Sequence, residues 1–333
     1  MTEPVRNIDL VIPWVDGNDP AWQAEKAAYV SPGGGDDRPL RYRSWDTLPY
    51  LFRGIEKNLP WVRRVFFVTW GHLPPWLNTD CEKLTVVNHR DFIPADYLPT
   101  FSSHTIELNL HRIPALSERF IYANDDTFFL QTLPPEFFFR NGLPVDRAVQ
   151  NVLQFARRDG IDHIVANDLT VINAHFSKKE VIKKAYDKWY APAYGIGMLK
   201  NIYLRSFTYF TGFVDYHLPN AYLKSTLREV WAAEGALLDA TCRRRVRSAA
   251  DVNQWLFRYW QLASGRFVPG KTDPGALFAI GRDDEKIKDA ILSAACPMVC
   301  LSDDDPDADF AAENRKLCGW LEKRFPEKSG FEK

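Results

Sequence analysis

Apolar residues fall along this chain in two rhythms. Up to about residue 175, short continuous apolar runs alternate with stretches where they recur every three or four positions; beyond it the second rhythm dominates. "IDLVIPWV" (8–15), "RVFFVTW" (64–70), "KLTVVNH" (83–89) and "RFIYAND" (119–125) are short and mostly β-branched or aromatic. They predict strands buried on both faces. "SWDTLPYLFRGIEKNLP" (44–60) predicts a helix with Ser44 as its cap, Pro49 standing in its first turns. "SSHTIELNLHRIPALSE" (102–118) predicts another, with Ile106, Leu110 and Ile113 on one face and His104, Glu107 and His111 on the opposite one. "SPGGGDDRP" (31–39) is a loop by composition. Strands alternating with helices imply a mostly parallel α/β sheet.

Past residue 175 the long stretches "KKEVIKKAYDKWY", "AYLKSTLREVWAAEGALLDATCRRRV" and "SAADVNQWLFRYWQLASG" are read as helices. "MVCLSDDD" (298–305) returns to strand character, and "FAAENRKLCGWLEKRF" is an amphipathic closing helix. The expected organisation is an α/β core over 1–175, a helical subdomain over 176–285, and a strand and helix over 286–333 that complete the core.

With 333 residues, 46% hydrophobic and 14% aromatic, the chain can bury a substantial core. Lys plus Arg number 42 and Asp plus Glu 43, a balance that argues against a nucleic-acid partner. Cysteines 81, 242, 296, 300 and 318 lack the paired spacing of a zinc site and are read as reduced thiols. The N-terminal "MTEPVRNIDLVIPWV" has no charged segment followed by an apolar leader, and no run approaches the ~18 apolar residues of a membrane span. A soluble, cytoplasmic protein is expected, and peripheral contact with the inner face of the cell membrane is compatible with this. The aromatic stretch "FFFRNG" (137–142) is expected in the core.

Ligands of open α/β sheets bind beyond the carboxyl ends of the strands. Three predicted strands end in acidic or amide residues: Asp16, Asn18 and Asp19; Asn124, Asp125 and Asp126; Ser302, Asp303 and Asp304. Such residues are ordinary turn formers. Converging, they would instead form a carboxylate pocket for Mg²⁺ or Mn²⁺. Ser102 and Ser103 would cap the 102–118 helix and leave N–H groups for a phosphate. His104 in its first turn, oriented by Glu107, has the form of a general base, against the alternative of a solvated polar face. His217 has Lys224 as a neighbouring phosphate ligand, and the basic run 242–247 is followed by Asp251 and Asn253; a hydrogen-bonded core histidine and a solvated helix face are the plainer readings.

Five blocks occur in order: "IDLVIPWVDGNDPAW" (8–22), "PWVRRVFFVTWGHLPPWLN" (60–78), "LPTFSSHTIELNLHRIPALSERFIYANDDTFF" (98–129), "DYHLPNAYLK" (215–224) and "VCLSDDD" (299–305). Together they resemble the conserved regions of the Stealth family. This family includes bacterial capsular polysaccharide phosphotransferases and resembles the catalytic part of N-acetylglucosamine-1-phosphotransferase. The resemblance implies a Rossmann-like fold related to GT-A glycosyltransferases, with Mg²⁺ or a similar ion as cofactor. The implied reaction transfers sugar-1-phosphate from a nucleotide diphosphate sugar, a UDP-sugar foremost, to a hydroxyl of a capsular or extracellular polysaccharide. The nucleoside monophosphate is released. The rival within the same site is a metal-dependent glycosyltransferase that attacks the anomeric carbon.

By position, the resemblance assigns Asp16 to the first acidic turn and Ser103, His104, Glu107 and Arg112 to the third block, with Asn124, Asp125 and Asp126 as its triplet. His217, Arg247, Asp251, Asp303 and Asp304 complete the set, and Arg53 is retained from the second region. Pro49, Ser102 and Ser302 depart from the family's usual residues. A homodimer is compatible with this reading.

Overall fold

In the computed structural model, residues 7–30, 38–155, 160–271, 274–303, 305 and 308–333 are described. The central sheet contains β1 (Ile8–Pro13), β2 (Val65–Thr69), β3 (Leu84–Asn88), β4 (Arg119–Tyr122) and β8 (Asn220–Leu223), in the order β3-β2-β1-β4-β8. Pairings are parallel except that of β4 with β8. A second sheet joins β10 (Ala276–Ala279), β11 (Met298–Ser302) and β5 (Thr127–Phe129); a third joins β6 (Phe139–Arg140), β7 (Leu143–Asp146) and β9 (Val268–Pro269). The helices are α1 (Pro20–Tyr29), α2 (Leu48–Asn58), α3 (Ser103–Asn109), α4 (Ile161–His175), α5 (Lys178–Lys184), α6 (Tyr186–Trp189), α7 (Gly197–Tyr203), α8 (Lys224–Cys242), α9 (Trp255–Ala263), α10 (Asp284–Ser293) and α11 (Phe310–Arg324).

The four predicted parallel strands are present, and their side chains show why they needed to be apolar throughout. Val11, Phe66, Val68, Phe120 and Tyr122 enter one apolar cluster with Leu108, Ile172, Val230 and Leu256 of α3, α4, α8 and α9. Leu10, Ile12, Phe67 and Ile121, the alternate positions, enter a second with Leu51 and Phe52 of α2 and Leu321 of α11. The sheet is thus a middle layer between two helical ones. Phe138 and Phe139 lie in the second cluster, as expected of the 137–142 stretch.

Several predicted elements differ, among them the following three. The helix expected over 44–60 starts at Leu48, so that Pro49 sits in its first turn, where a missing N–H costs nothing. The helix expected over 102–118 runs only over Ser103–Asn109, followed by a 3₁₀ turn to Arg112, because Pro114 bars continuation. Residues 221–223 of the long helix expected from 221 form β8 instead. This strand belongs to the range expected to be a separate helical unit, yet it pairs with β4, and the first apolar cluster crosses residue 175 without a break. An unexpected helix, α1, is capped by Asp19, whose Oδ1 accepts from Ala21 N and Trp22 N at 2.8 and 2.9 Å.

Two cations assigned to substrate are consumed by the fold. Arg53 donates to both Glu332 oxygens at 2.9 Å, to Glu322 at 2.9 Å and to Phe325 O at 2.7 Å, tying α2 to the C-terminal tail. Lys224 Nζ donates to Ile113 O and Leu116 O at 2.7 and 3.1 Å, beside the amino end of β4 and away from the strand tips that carry the acidic turns. A phosphate role for either is corrected by these bonds. Arg53→Met is therefore expected to lower unfolding free energy by roughly 3 kcal/mol in urea titrations, while donor turnover by the folded fraction stays unchanged.

Candidate active site

From β1 the sheet order runs toward β2 and β3 on one side and toward β4 on the other, which opens a crevice at the carboxyl ends of β1 and β4. Their register, Val11 opposite Tyr122, brings the turn after Trp14 and the Asn124–Asp126 turn to one edge. In the first turn a Cβ at Gly17 would lie 2.0 Å from Tyr42 O, so no larger residue fits. Asp16 N–H donates to His72 Nε2 at 2.8 Å, and Asp16 Oδ1 accepts from Asn18 N–H at 2.9 Å. Burial lowers the His72 pKa, against the pull of Asp19 and Asp16, which suits a neutral ring accepting that bond. His72 went unrecognised in the sequence because nothing there pairs residue 72 with residue 16. Trp22, Phe101 and Val246 pack together with Tyr42, welding the turn to the loops that carry the next group.

That group is built on Asp251, which is fully buried. Asp251 Oδ2 lies 2.9 Å from His104 Nδ1 and accepts from Ser248 N at 2.8 Å, while Oδ1 accepts from Arg244 at 2.9 Å. The carboxylate thereby holds His104 with its proton on Nδ1 and leaves Nε2 as the basic nitrogen. Glu107, expected to orient His104, does something else. Its Oε1 accepts from Tyr122 OH at 3.1 Å and its Oε2 from Gln254 N at 3.2 Å, bracing β4 against the segment that follows Asp251. Helical spacing alone placed Glu107 beside His104; the partner actually in reach is 147 residues away.

Arg247 donates to Ser103 Oγ at 2.8 Å, next to His104. Ser102 occupies the cap position without a side-chain cap bond, and seven residues of helix offer little dipole for a phosphate. Arg112 lies at the far end of this helix, on Asn109 Oδ1 and 4.9 Å from the centre of the Trp231 ring, which takes it out of the site. Asn253 accepts from Trp255 N at 3.0 Å and caps the approach to α9, so its side-chain oxygen is spent on the fold.

The second turn is acidic and undercompensated. Burial, and then the neighbouring Asp126, push the Asp125 carboxyl up to about 7. Asn124 Nδ2 lies 3.2 Å from His217 Nε2, and the same nitrogen is 3.9 Å from Asp126 Oδ2. Asp126, His217 and Cys300 offer ligand atoms within 4.8 Å of one another. Burial holds the Cys300 thiol well above its usual pKa, with Asp126 adding to it, so it is a poor ligand for a hard ion. The carboxylates are the fitting donors. β11 pairs antiparallel with β5, and Leu301 N donates to Asp126 O at 3.0 Å, which brings the end of β11 and Asp303 toward the same turn. Asp303 lies 3.3 Å from Arg43. Asp304 falls outside the described residues. A small cleft lined by Tyr122, Asn124, Tyr216, His217, Gln254 and Trp255 joins the acidic turn to the Glu107 brace.

A mostly parallel α/β sheet takes its ligands in the crevice at its switch point, and here that crevice is bordered by the acidic turns. Residues 6–31 and 41–145 match conserved regions 1 and 2 of the Stealth proteins. The chain is 39% identical to the capsular polysaccharide phosphotransferase WcwK of Streptococcus pneumoniae, over 99% of this chain and 100% of that one. It is 35% identical to the receptor polysaccharide phosphotransferase WefC of Streptococcus oralis, over 98% and 100%. The exopolysaccharide phosphotransferase cps2G of Lactiplantibacillus plantarum is 35% identical over 98% and 96%. Among solved structures, galactosyltransferase LgtC in complex with donor and acceptor sugar analogs aligns over 97% of this chain and 98% of that one, at 11% identity and a TM-score of 0.40.

The chain belongs to the Stealth family, and it is a phosphotransferase.

A carboxyl whose folded pKa of about 7 exceeds the usual 3.8 costs stability as pH rises through that interval. Asp125→Asn is expected to raise Tm by a few degrees at pH 8 in EDTA and far less at pH 5. Mg²⁺ is expected to stabilise the wild-type protein at pH 8 and not the variant.

Proposed function

We propose that the enzyme transfers sugar-1-phosphate from a nucleoside diphosphate sugar, foremost a UDP-sugar, to a hydroxyl of a capsular or extracellular polysaccharide. The observation that carries this reading is the buried His104–Asp251 pair, in which the carboxylate meets Nδ1 at 2.9 Å and leaves Nε2 as the acceptor. The names of the relatives support polysaccharide as the acceptor. We place the reaction in the cytoplasm; among the described residues no helix is long and apolar enough to cross a membrane.

The acceptor hydroxyl gives its proton to His104 Nε2 as its oxygen attacks the sugar-bearing phosphorus. The bond from that phosphorus to the bridging oxygen breaks, and the nucleoside monophosphate leaves with that oxygen. Asp251 stabilises the imidazolium that forms. Arg247, held on Ser103, and His217, held on Asn124, are assigned to the phosphoryl oxygens. Asp16 and Asn18, in the turn held by His72, are assigned to the donor side. Asp125 and Asp126, with Asp303, are the residues that would hold Mg²⁺ or Mn²⁺, which supplies neutralisation of diphosphate charge.

Mass spectrometry of a nucleotide-sugar panel with Mg²⁺ is expected to show nucleoside monophosphate and a phosphodiester-linked sugar. Nucleoside diphosphate as the product would identify a glycosyltransferase instead. His104→Ala is expected to reduce kcat ~10²–10⁴-fold. Asp251→Asn should lower kcat with little change in KM, since it takes a bond from the base and none from the donor; an unchanged kcat in both variants would exclude the pair as base.

A further inference from the structure

Fifteen large hydrophobic side chains are exposed among the described residues, and ten of them lie between residues 152 and 209. Ile196 is 85% exposed, Tyr203 75% and Leu199 58%. These three succeed one another at spacings of three and four, which sets them on one face of α7. On the buried side, Asn201 donates to Ala148 O and Trp189 O at 2.7 and 2.6 Å and accepts from Gln150 N at 2.6 Å. An amide bolts the helix to the protein while its apolar face looks outward, the reverse of an ordinary surface helix. Val152 and Phe155 come alongside, because Leu153 N donates to Thr211 O at 3.0 Å and Lys200 Nζ to Asn151 Oδ1 at 3.3 Å.

Charge says what this face fits. Residues 178–214 hold seven Lys or Arg and two Asp or Glu, in a chain whose net charge is −1. Lys178 and Lys188 spend their ammonium groups on backbone carbonyls. Lys179, Lys183, Lys184, Lys200 and Arg205 are exposed, and no carboxylate occurs from 188 to 214. A second copy of this chain would set the same positive rim against itself across a two-fold interface. An anionic bilayer meets both features at once, with apolar side chains at the acyl boundary and cations among headgroup phosphates.

We infer that the face formed by α7 and the 152–155 segment docks on an anionic lipid surface. The same strand of chain runs on into the site: Val214 N donates to Val149 O at 2.8 Å, and Tyr216 and His217 follow within three residues. Docking itself does not rest on the proposed function.

The test is co-sedimentation of the full chain with phosphatidylglycerol and phosphatidylcholine vesicles. Partitioning into the anionic vesicles should be at least ten-fold stronger and should weaken about ten-fold in 0.5 M NaCl. A Leu199→Glu, Tyr203→Glu variant should lose it at least ten-fold, with unchanged circular dichroism and unchanged monophosphate release from soluble donor. Equal binding by the variant would overturn the inference. So would a wild-type dimer in analytical ultracentrifugation that the variant converts to monomer, with no vesicle binding by either. Vesicle binding of the expected pattern without monophosphate release would leave docking standing and count against the catalytic reading.

Discussion

A carboxylate taken out of water must be met by donors, and Asp251 is where this fold depends most on meeting that demand. Its three donors are the His104 ring, the Ser248 amide and the Arg244 guanidinium. The first of these pulls the chain after α8 onto α3, across 147 residues of sequence. The bond that satisfies the charge also decides which nitrogen of His104 is basic.

Other buried carboxylates show the same rule and its exceptions. Asp9, fully buried, takes Arg63 at 2.8 and 2.6 Å and Ser117 N at 2.7 Å. Asp146 receives a bidentate Arg258, which also reaches Asp215 at 2.6 Å. Among the described residues Asp168 accepts from Asn253 N at 3.3 Å, and burial lifts its carboxyl well above the usual range. Asp125 is undercompensated too, but it sits at a strand tip beside a cleft rather than under a helix. A carboxyl perturbed by burial and by a like charge beside a cleft is a candidate for function.

Legibility in the sequence followed the range of the forces involved. Strands were readable because burial on both faces demands apolar residues at every position, and β1 to β4 carry that demand locally. The acidic turn was readable because Asn124, Asp125 and Asp126 are adjacent. Glu107 was misassigned because helical spacing offers neighbours at three and four residues and says nothing of partners from elsewhere. Arg53 and Lys224 were drawn into the site because a lone cation in a sequence does not show that Glu332 or two carbonyls will claim it.

What the sequence determined by itself, then, is the alternation that makes a mostly parallel sheet, the strand-tip carboxylates and the ordered blocks of the Stealth family. The tertiary structure decided that β8 joins the sheet beside β4, that Asp251 holds His104, that His72 fixes the Asp16 turn and that α7 turns its apolar side outward. The division has a physical cause. Periodicity is written in residues a few positions apart, whereas the desolvation of a charge is answered by whatever donor the folded chain brings within about 3 Å.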